Sequence, residues 1–275
     1  ITIQSGGVLT LNSSITLTSS SVELQSGGDL VISNGELNCT GKFDHDGDLD
    51  LVEGNSSRAN RLYLGDGSGS FSSGTNITND AHRTFLMRAG DVDGDGMLDA
   101  VVATHDEVDW IYYGHGDGYF SDRVALSEGV TYNVALALSD LNGDGQLDIV
   151  RQDQTYVLGK NGALPTSPTH NQHFMSRSVL ADLDGDGRLE GINRGWSSPN
   201  VVFDVAPDGS FEGFRPLSGD AFKTGVLAVG DVNGDGALDV VAGFEADFSL
   251  GESPEPVRVY LNKGAGSFGP GDPLG

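Results

Sequence analysis

Apolar residues in this chain come in short runs that stop at clusters of Gly, Asp and Asn. Some runs alternate with small or polar residues, as in TFLMRAG at Thr84 and GVLAVG at Gly225. Others, such as DAVVAT at Asp99, DIVR at Asp148 and DVVAGF at Asp239, are continuous and β-branched. Alternation with a period of two is the mark of a strand with one buried face, and a short continuous β-branched run is the mark of a strand buried on both faces. Helix-forming runs are nearly absent. The pattern predicts an all-β chain of many short strands joined by tight turns.

The turns are not arbitrary. A nine-residue pattern, D-x-[DN]-G-D-G-x-L-[DE], returns as DVDGDGMLD from Asp91, DLNGDGQLD from Asp140, DLDGDGRLE from Asp182 and DVNGDGALD from Asp231. A worn copy, KFDHDGDLD, runs from Lys42 to Asp50. The last positions fall 49, 49, 42 and 49 residues apart. Each copy follows an apolar strand that ends in a small residue (Gly41, Gly90, Ser139, Ala181, Gly230). After it come a β-branched strand, a third strand and a Gly-rich turn closed by Phe71, Phe120, Phe211 or Phe268, with Leu164 in the short third unit. A tandem unit of four strands per ~40 to 50 residues is a propeller blade, which cannot bury both of its faces alone. The reading is an all-β β-propeller over residues 36–275, with five four-stranded blades, or a six-bladed or incomplete ring. The small residue before the loop is expected in a crowded place, and the Phe after the turn between neighbouring blades.

Residues 1–35 differ. ITIQSGGVLTL at Ile1 returns as VELQSGGDLVI at Val22, which suggests a pair of hairpins or solenoid coils, with a degenerate extra blade as the alternative.

The nine-residue loop has the chemistry of a hard-cation site. A hard divalent ion takes six to eight oxygens at ~2.3 to 2.6 Å. Positions 1, 3 and 5 offer side-chain oxygens: Asp91, Asp93 and Asp95; Asp140, Asn142 and Asp144; Asp182, Asp184 and Asp186; Asp231, Asn233 and Asp235. Gly at positions 4 and 6 permits left-handed backbone. Position 7 offers only its carbonyl, so its side chain varies (Met97, Gln146, Arg188, Ala237), and position 9 brings a last carboxylate (Asp99, Asp148, Glu190, Asp239). Calcium is expected at about four such sites, because zinc would want His or Cys. At the worn copy, Lys42 takes the first position, so either a fifth ion or its ammonium neutralises Asp44, Asp46 and Asp50.

The charge of -25 over 275 residues argues against nucleic acid and anionic membrane as partners. No run approaches the ~18 apolar residues of a membrane span. One cysteine, Cys39, excludes an internal disulfide and reads as a small buried residue. Sequons at Asn12, Asn38, Asn55 and Asn76 fit surface loops of a secreted glycoprotein. The chain starts at Ile1 and reads as a mature chain or a fragment of a larger one.

These residues resemble the FG-GAP, or VCBS-type, repeats of integrin α-subunit heads and of many microbial and algal surface proteins. The marks are the loop followed by RLYLGDGSGSF or WIYYGHGDGYF. The resemblance implies a propeller with calcium in a loop of each blade, used in adhesion, assembly or ligand recognition, with a protein or glycan partner at the extracellular surface. Integrin heads carry seven blades, and five motifs stand here. The competing class is a lectin or a polysaccharide-active enzyme such as a lyase. Its candidate residues are His105, His115, His170 and His173 for catalysis, and Arg151, Arg194, Trp110 and Trp196 for sugar contacts. The sequence contains no G-x-S-x-G, H-E-x-x-H or phosphate-binding loop, so a non-enzymatic binding module is expected.

Overall fold

Strands this short need neighbours on both edges, and a computed structural model supplies them as consecutive antiparallel meanders. It describes residues 2–4, 8–10, 22–25, 29–32, 37–41, 46, 48–55, 57–68, 70–79, 81–104, 107–121, 123–126, 135–171, 178–195, 198–221, 223–244 and 255–274. The repeated N-terminal segments form two hairpins: β1 (Thr2–Gln4) pairs with β2 (Val8–Thr10), and β3 (Val22–Gln25) with β4 (Asp29–Ile32).

Five four-stranded sheets follow, each in chain order. Blade 1 holds β5 (Leu37–Gly41), β6 (Asp50–Gly54), β7 (Arg61–Tyr63) and β8 (Thr75–Asn76). Blade 2 holds β9 (Thr84–Gly90), β10 (Asp99–Thr104), β11 (Trp110–Tyr112) and β12 (Val124–Ala125). Blade 3 holds β13 (Leu136–Ser139), β14 (Asp148–Arg151), β15 (Gln154–Tyr156) and β16 (Thr169–His170). Blade 4 holds β17 (Val179–Ala181), β18 (Glu190–Asn193), β19 (Val201–Val205) and β20 (Phe211–Pro216). Blade 5 holds β21 (Thr224–Gly230), β22 (Asp239–Phe244), β23 (Arg258–Tyr260) and β24 (Asp272–Pro273). The fold is all-β, of the propeller type with four-stranded blades. Among the described residues no helix is long and apolar enough to cross a membrane.

Register places the nine-residue pattern alike in blades 1, 2, 4 and 5. The small residue that ends the first strand pairs with the acid at position 9: Gly41 with Asp50, Gly90 with Asp99, Ala181 with Glu190 and Gly230 with Asp239. The loop is therefore the connection of the first hairpin of each blade. At Gly230 a Cβ would meet no atom within 4 Å, so crowding does not account for the small residue there.

The chain divides into two compact units, residues 1–138 with 158–164, and residues 139–157 with 165–275. In the first, Val52 and Leu62 of blade 1 pack with Met87, Ala100, Val102 and Tyr112 of blade 2, and Phe120 lies against them. In the second, Ile192 and Val202 of blade 4 pack with Leu227, Val240, Ala242 and Tyr260 of blade 5, and Phe268 lies against these. The core thus sits between blades, where the second strands, β10 and β14, are buried along their whole length. Phe211 has its ring centroid 4.6 Å from that of Phe203 within blade 4.

A polar clasp joins the blades at the edge away from the loops. The buried Asn60 accepts at Oδ1 from the Asn55 amide (2.8 Å) and from the Thr84 hydroxyl that opens blade 2 (2.9 Å). Asn200 repeats this between blades 4 and 5, accepting from the Gly195 amide (2.7 Å) and the Thr224 hydroxyl (2.8 Å). A buried donor left without an acceptor costs ~1 to 3 kcal/mol. Asn200→Ala is expected to destabilise the chain by about 2 to 4 kcal/mol in urea unfolding, and Thr224→Val by about 1 kcal/mol, because only the first strands an amide N–H. Equal, small losses would contradict the clasp.

Candidate metal centre

Each loop is wound around its own carboxylates. At position 1, Asp91 accepts at Oδ1 from the Gly94 and Asp95 amides and at Oδ2 from Gly96. Asp140 and Asp231 accept the equivalent three N–H groups, and Asp182 those of Gly185 and Gly187. The third position accepts the amide of the fifth at Asp93, Asn142, Asp184 and Asn233, over 2.8 to 3.1 Å. The fifth accepts the amide of the seventh at Asp95, Asp144, Asp186 and Asp235. In blade 1 the same contact runs from the Asp48 amide to Asp46 (2.8 Å). The glycines at positions 4 and 6 are left-handed in every described loop, Gly94 at φ 76° and Gly96 at φ 90° for example, with open space where a Cβ would stand. Backbone conformation, not room, selects glycine here.

Position 9 does more than the sequence suggested. Asp99, buried, accepts at Oδ2 from the Val92 amide (2.8 Å) and at Oδ1 from the Gly114 amide (2.9 Å), and so pins the start of the loop and the end of the third strand. Asp239 does the same with Val232 and Asn262, both over distances near those of Asp99. Asp148 holds Leu141, Glu190 holds Leu183 and Asp50 holds Gly65.

These contacts gather carboxylates. One oxygen each from Asp91, Asp93 and Asp99 lies within 4.8 Å of the others, and Asp182, Asp184 and Glu190 form the same group in blade 4. In blades 3 and 5, Asn142 and Asn233 stand in the third position. Their amides donate to Asp144 (3.1 Å) and Asp235 (2.9 Å). In blade 1, Asp46 is exposed, Asp50 is buried and Asp44 lies outside the described residues. At position 7, Met97, Gln146, Arg188 and Ala237 each donate their amide to the fifth residue.

Electrostatics records the crowding. Burial, then the like charges of Asp93 and Asp91, push the Asp99 carboxyl from its ordinary 3.8 up to about 7 against its two amide donors. Burial and the neighbouring acids also raise Asp93 and Glu190. Asp231, exposed and held by the Gly236 amide above all, is lowered. The donor set is oxygen throughout, negatively charged and partly desolvated, which fits a hard divalent cation and not a soft one.

Other candidate residues disperse. Arg151 is fully buried in β14, with one guanidinium N–H 3.4 Å from the Tyr156 hydroxyl, so it faces the interior and no sugar. Arg194 lies 3.4 Å from the Thr224 carbonyl. Trp110 carries the Arg123 guanidinium 4.1 Å from its ring centroid, and His82 bridges Glu107 and Arg123, a cluster that sequence reasoning did not find. His115 and His170 are exposed, while His105, His173 and Trp196 lie outside the described residues. Asn55 is buried with its amide on the Ala59 carbonyl, so that sequon is no surface loop, whereas Asn76 is exposed on β8.

Four-stranded blades, each closed by an acidic nine-residue hairpin loop, define a propeller of the repeat type. Residues 42–102 and 91–150 each match the FG-GAP-like repeat, and these two matches with the five four-stranded sheets fit an FG-GAP-repeat, β-propeller-like fold. No curated protein matched. Among solved structures, an Agrocybe aegerita lectin described as specifically recognising non-reducing terminal N-acetylglucosamine superposes with a TM-score of 0.67 at 21% identity, over 87% of this chain and 65% of that one. The V. cholerae biofilm matrix protein Bap1 superposes with a TM-score of 0.52 at 21% identity, over 91% of this chain and 41% of its own. This chain spans less than two thirds of either, and at such identities the likeness is one of fold.

Between its ordinary pKa and about 7, Asp99 holds a proton in the folded metal-free chain that the unfolded chain has lost. Its contribution to metal-free stability therefore falls as pH rises from about 4 to about 7. Urea midpoints of the metal-free protein across that range are expected to decline, and Asp99→Asn, less stable in acid, to flatten the slope. A wild-type midpoint that rises over this range would contradict the burial of this charge.

Proposed function

We propose that the chain is a calcium-fastened binding module of an extracellular or cell-surface protein, which presents a rigid propeller surface to a glycan and performs no catalysis. The grouping of the Asp91, Asp93 and Asp99 oxygens within 4.8 Å at the root of a hairpin carries the calcium part. Such a group is self-repelling when empty and complementary to a hard dication when filled, so ion binding stabilises the fold by linkage. The ions would be held by Asp91, Asp93, Asp95 and Asp99 in blade 2, Asp140, Asn142, Asp144 and Asp148 in blade 3, Asp182, Asp184, Asp186 and Glu190 in blade 4, and Asp231, Asn233, Asp235 and Asp239 in blade 5. The carbonyls at position 7 complete each set. The bound ion supplies charge neutralisation and no chemistry. The protein residues supply the frame: position 9 ties loop to sheet, and the left-handed glycines let alternate side chains turn inward.

The fold likeness to a lectin and to a biofilm matrix protein supports glycan recognition and an extracellular place. The net charge of -25 supports a neutral sugar over an acidic polymer. Removing calcium with EDTA is expected to lower the melting temperature by about 10 °C or more, since each loop adds ~2.7 kcal/mol at a hundredfold excess over its Kd. Calcium, and not zinc, restores it. A neutral-glycan array read with calcium and with chelator tests the partner: calcium-dependent binding without turnover supports the reading, while release of sugar fragments would replace it with an enzyme.

A further inference from the structure

Four loops of one length and one glycine pattern differ in kind at a single ligand position. Asp93 and Asp184 occupy the third position in blades 2 and 4, and Asn142 and Asn233 in blades 3 and 5. Resting on the calcium reading above, we propose that the third-position side chain sorts the loops into two classes of calcium site, a tight pair in blades 2 and 4 and a weaker pair in blades 3 and 5.

Two effects carry this, and they act in the same direction. The first is charge. The blade 2 loop carries four carboxylates at the odd positions (Asp91, Asp93, Asp95 and Asp99) and the blade 4 loop also four (Asp182, Asp184, Asp186 and Glu190), whereas blades 3 and 5 each have one fewer. Ligand charge is one of the two quantities that tune the affinity of such oxygen sites, the other being rigidity.

The second is the state of the empty loop. In blades 3 and 5 the third-position amide already donates to Oδ2 of Asp144 (3.1 Å) and of Asp235 (2.9 Å), the carboxylates two residues on. An entering ion has to displace that N–H or share the oxygen with it. In blades 2 and 4 a carboxylate stands there instead and faces other carboxylates. Among the described residues, three-carboxylate groups within 4.8 Å occur in these two loops. A cation relieves their repulsion, so the gain on binding is larger.

The loops with Asn are thus built to keep their shape with less help from the ion, and the loops with Asp to depend on it. Loss of one ligand charge is expected to weaken a loop by roughly tenfold.

The test follows calcium leaving the loaded full-length chain into an excess of fluorescent chelator by stopped flow. Every version carries Asp46→Asn, which takes the blade 1 loop out of the count. Two phases of equal amplitude, about tenfold apart in rate, are expected. Asn142→Asp with Asn233→Asp, which add ligands and keep the loop length, are expected to merge them into one slow phase. Asp93→Asn with Asp184→Asn are expected to merge them into one fast phase, with circular dichroism checking that the loaded variants stay folded. A single phase in the unsubstituted loops, or two phases untouched by the Asn→Asp pair, overturns the two classes while leaving calcium binding intact. A chain that releases no calcium at all overturns the calcium reading itself.

Discussion

A carboxylate buried at the point where the first hairpin of a blade closes is the constraint from which the rest follows. Asp50, Asp99, Asp148, Glu190 and Asp239 all stand at this point, and all are buried. A buried charge is costly unless it is hydrogen-bonded and neutralised, and here two backbone N–H groups supply the first need. Those donors come from opposite ends of the unit, one from the second loop residue and one from the turn after the third strand. One side chain therefore fixes the loop, the second strand and the third strand relative to one another. The raised pKa of Asp99 marks the part of the cost that the amides leave unmet.

The same point is tied to the junction between blades. Gly162, in the turn after the third strand of blade 3, lies against Asp93 and the Val92 carbonyl, where a Cβ would collide. Gly266 of blade 5 lies against Asp184, and Asn262 donates to the Leu183 carbonyl (2.6 Å) as well as to Leu238 in its own blade (3.0 Å). The loop of one blade is roofed by the turn of the next. Whatever orders the loop also orders the surface on which the neighbour packs, and the apolar clusters that join blades 1 to 2 and 4 to 5 lie directly behind it. In a fold made of units that cannot bury both faces alone, this couples loop chemistry to global stability.

Much of this was legible because the repeat multiplies weak signals. One D-x-D-G-D-G stretch reads equally as turn chemistry, but copies 42 to 49 residues apart, each before a β-branched run, set the blade length and the register of the hairpin. The clasp was not read, although its signal is present: Asn60 and Asn200 each stand just before a third strand. Asn and Asp before a strand are ordinary turn residues, and only the fold brings Thr84 or Thr224 to them. Arg151 suited either a sugar contact or packing within the sheet, and its burial favours packing. A charged residue in a strand suggests a solvent-facing position, but β14 is buried on both faces. Gly230 misled because a small residue beside a tight loop suggests crowding where the space is open.

Hydrogen bonding alone accounts for some of the acids in the loop and not for others. At positions 1 and 9 both carboxylate oxygens accept backbone N–H groups, as at Asp91 and Asp99, and an amide side chain, with one acceptor oxygen, could not do that work. At position 3 a single oxygen accepts one amide, and there the chain does use Asn twice. Position 5 likewise accepts its one backbone N–H through Oδ1, so at Asp95 and Asp186 Asn would satisfy the backbone equally well, whereas at Asp144 and Asp235 Oδ2 also takes the third-position amide. Yet an Asp stands at that position in all five loops, Asp46 included. A charge kept where the backbone asks only for an acceptor, beside carboxylates that repel it, is not accounted for by turn geometry and is consistent with the calcium reading proposed above.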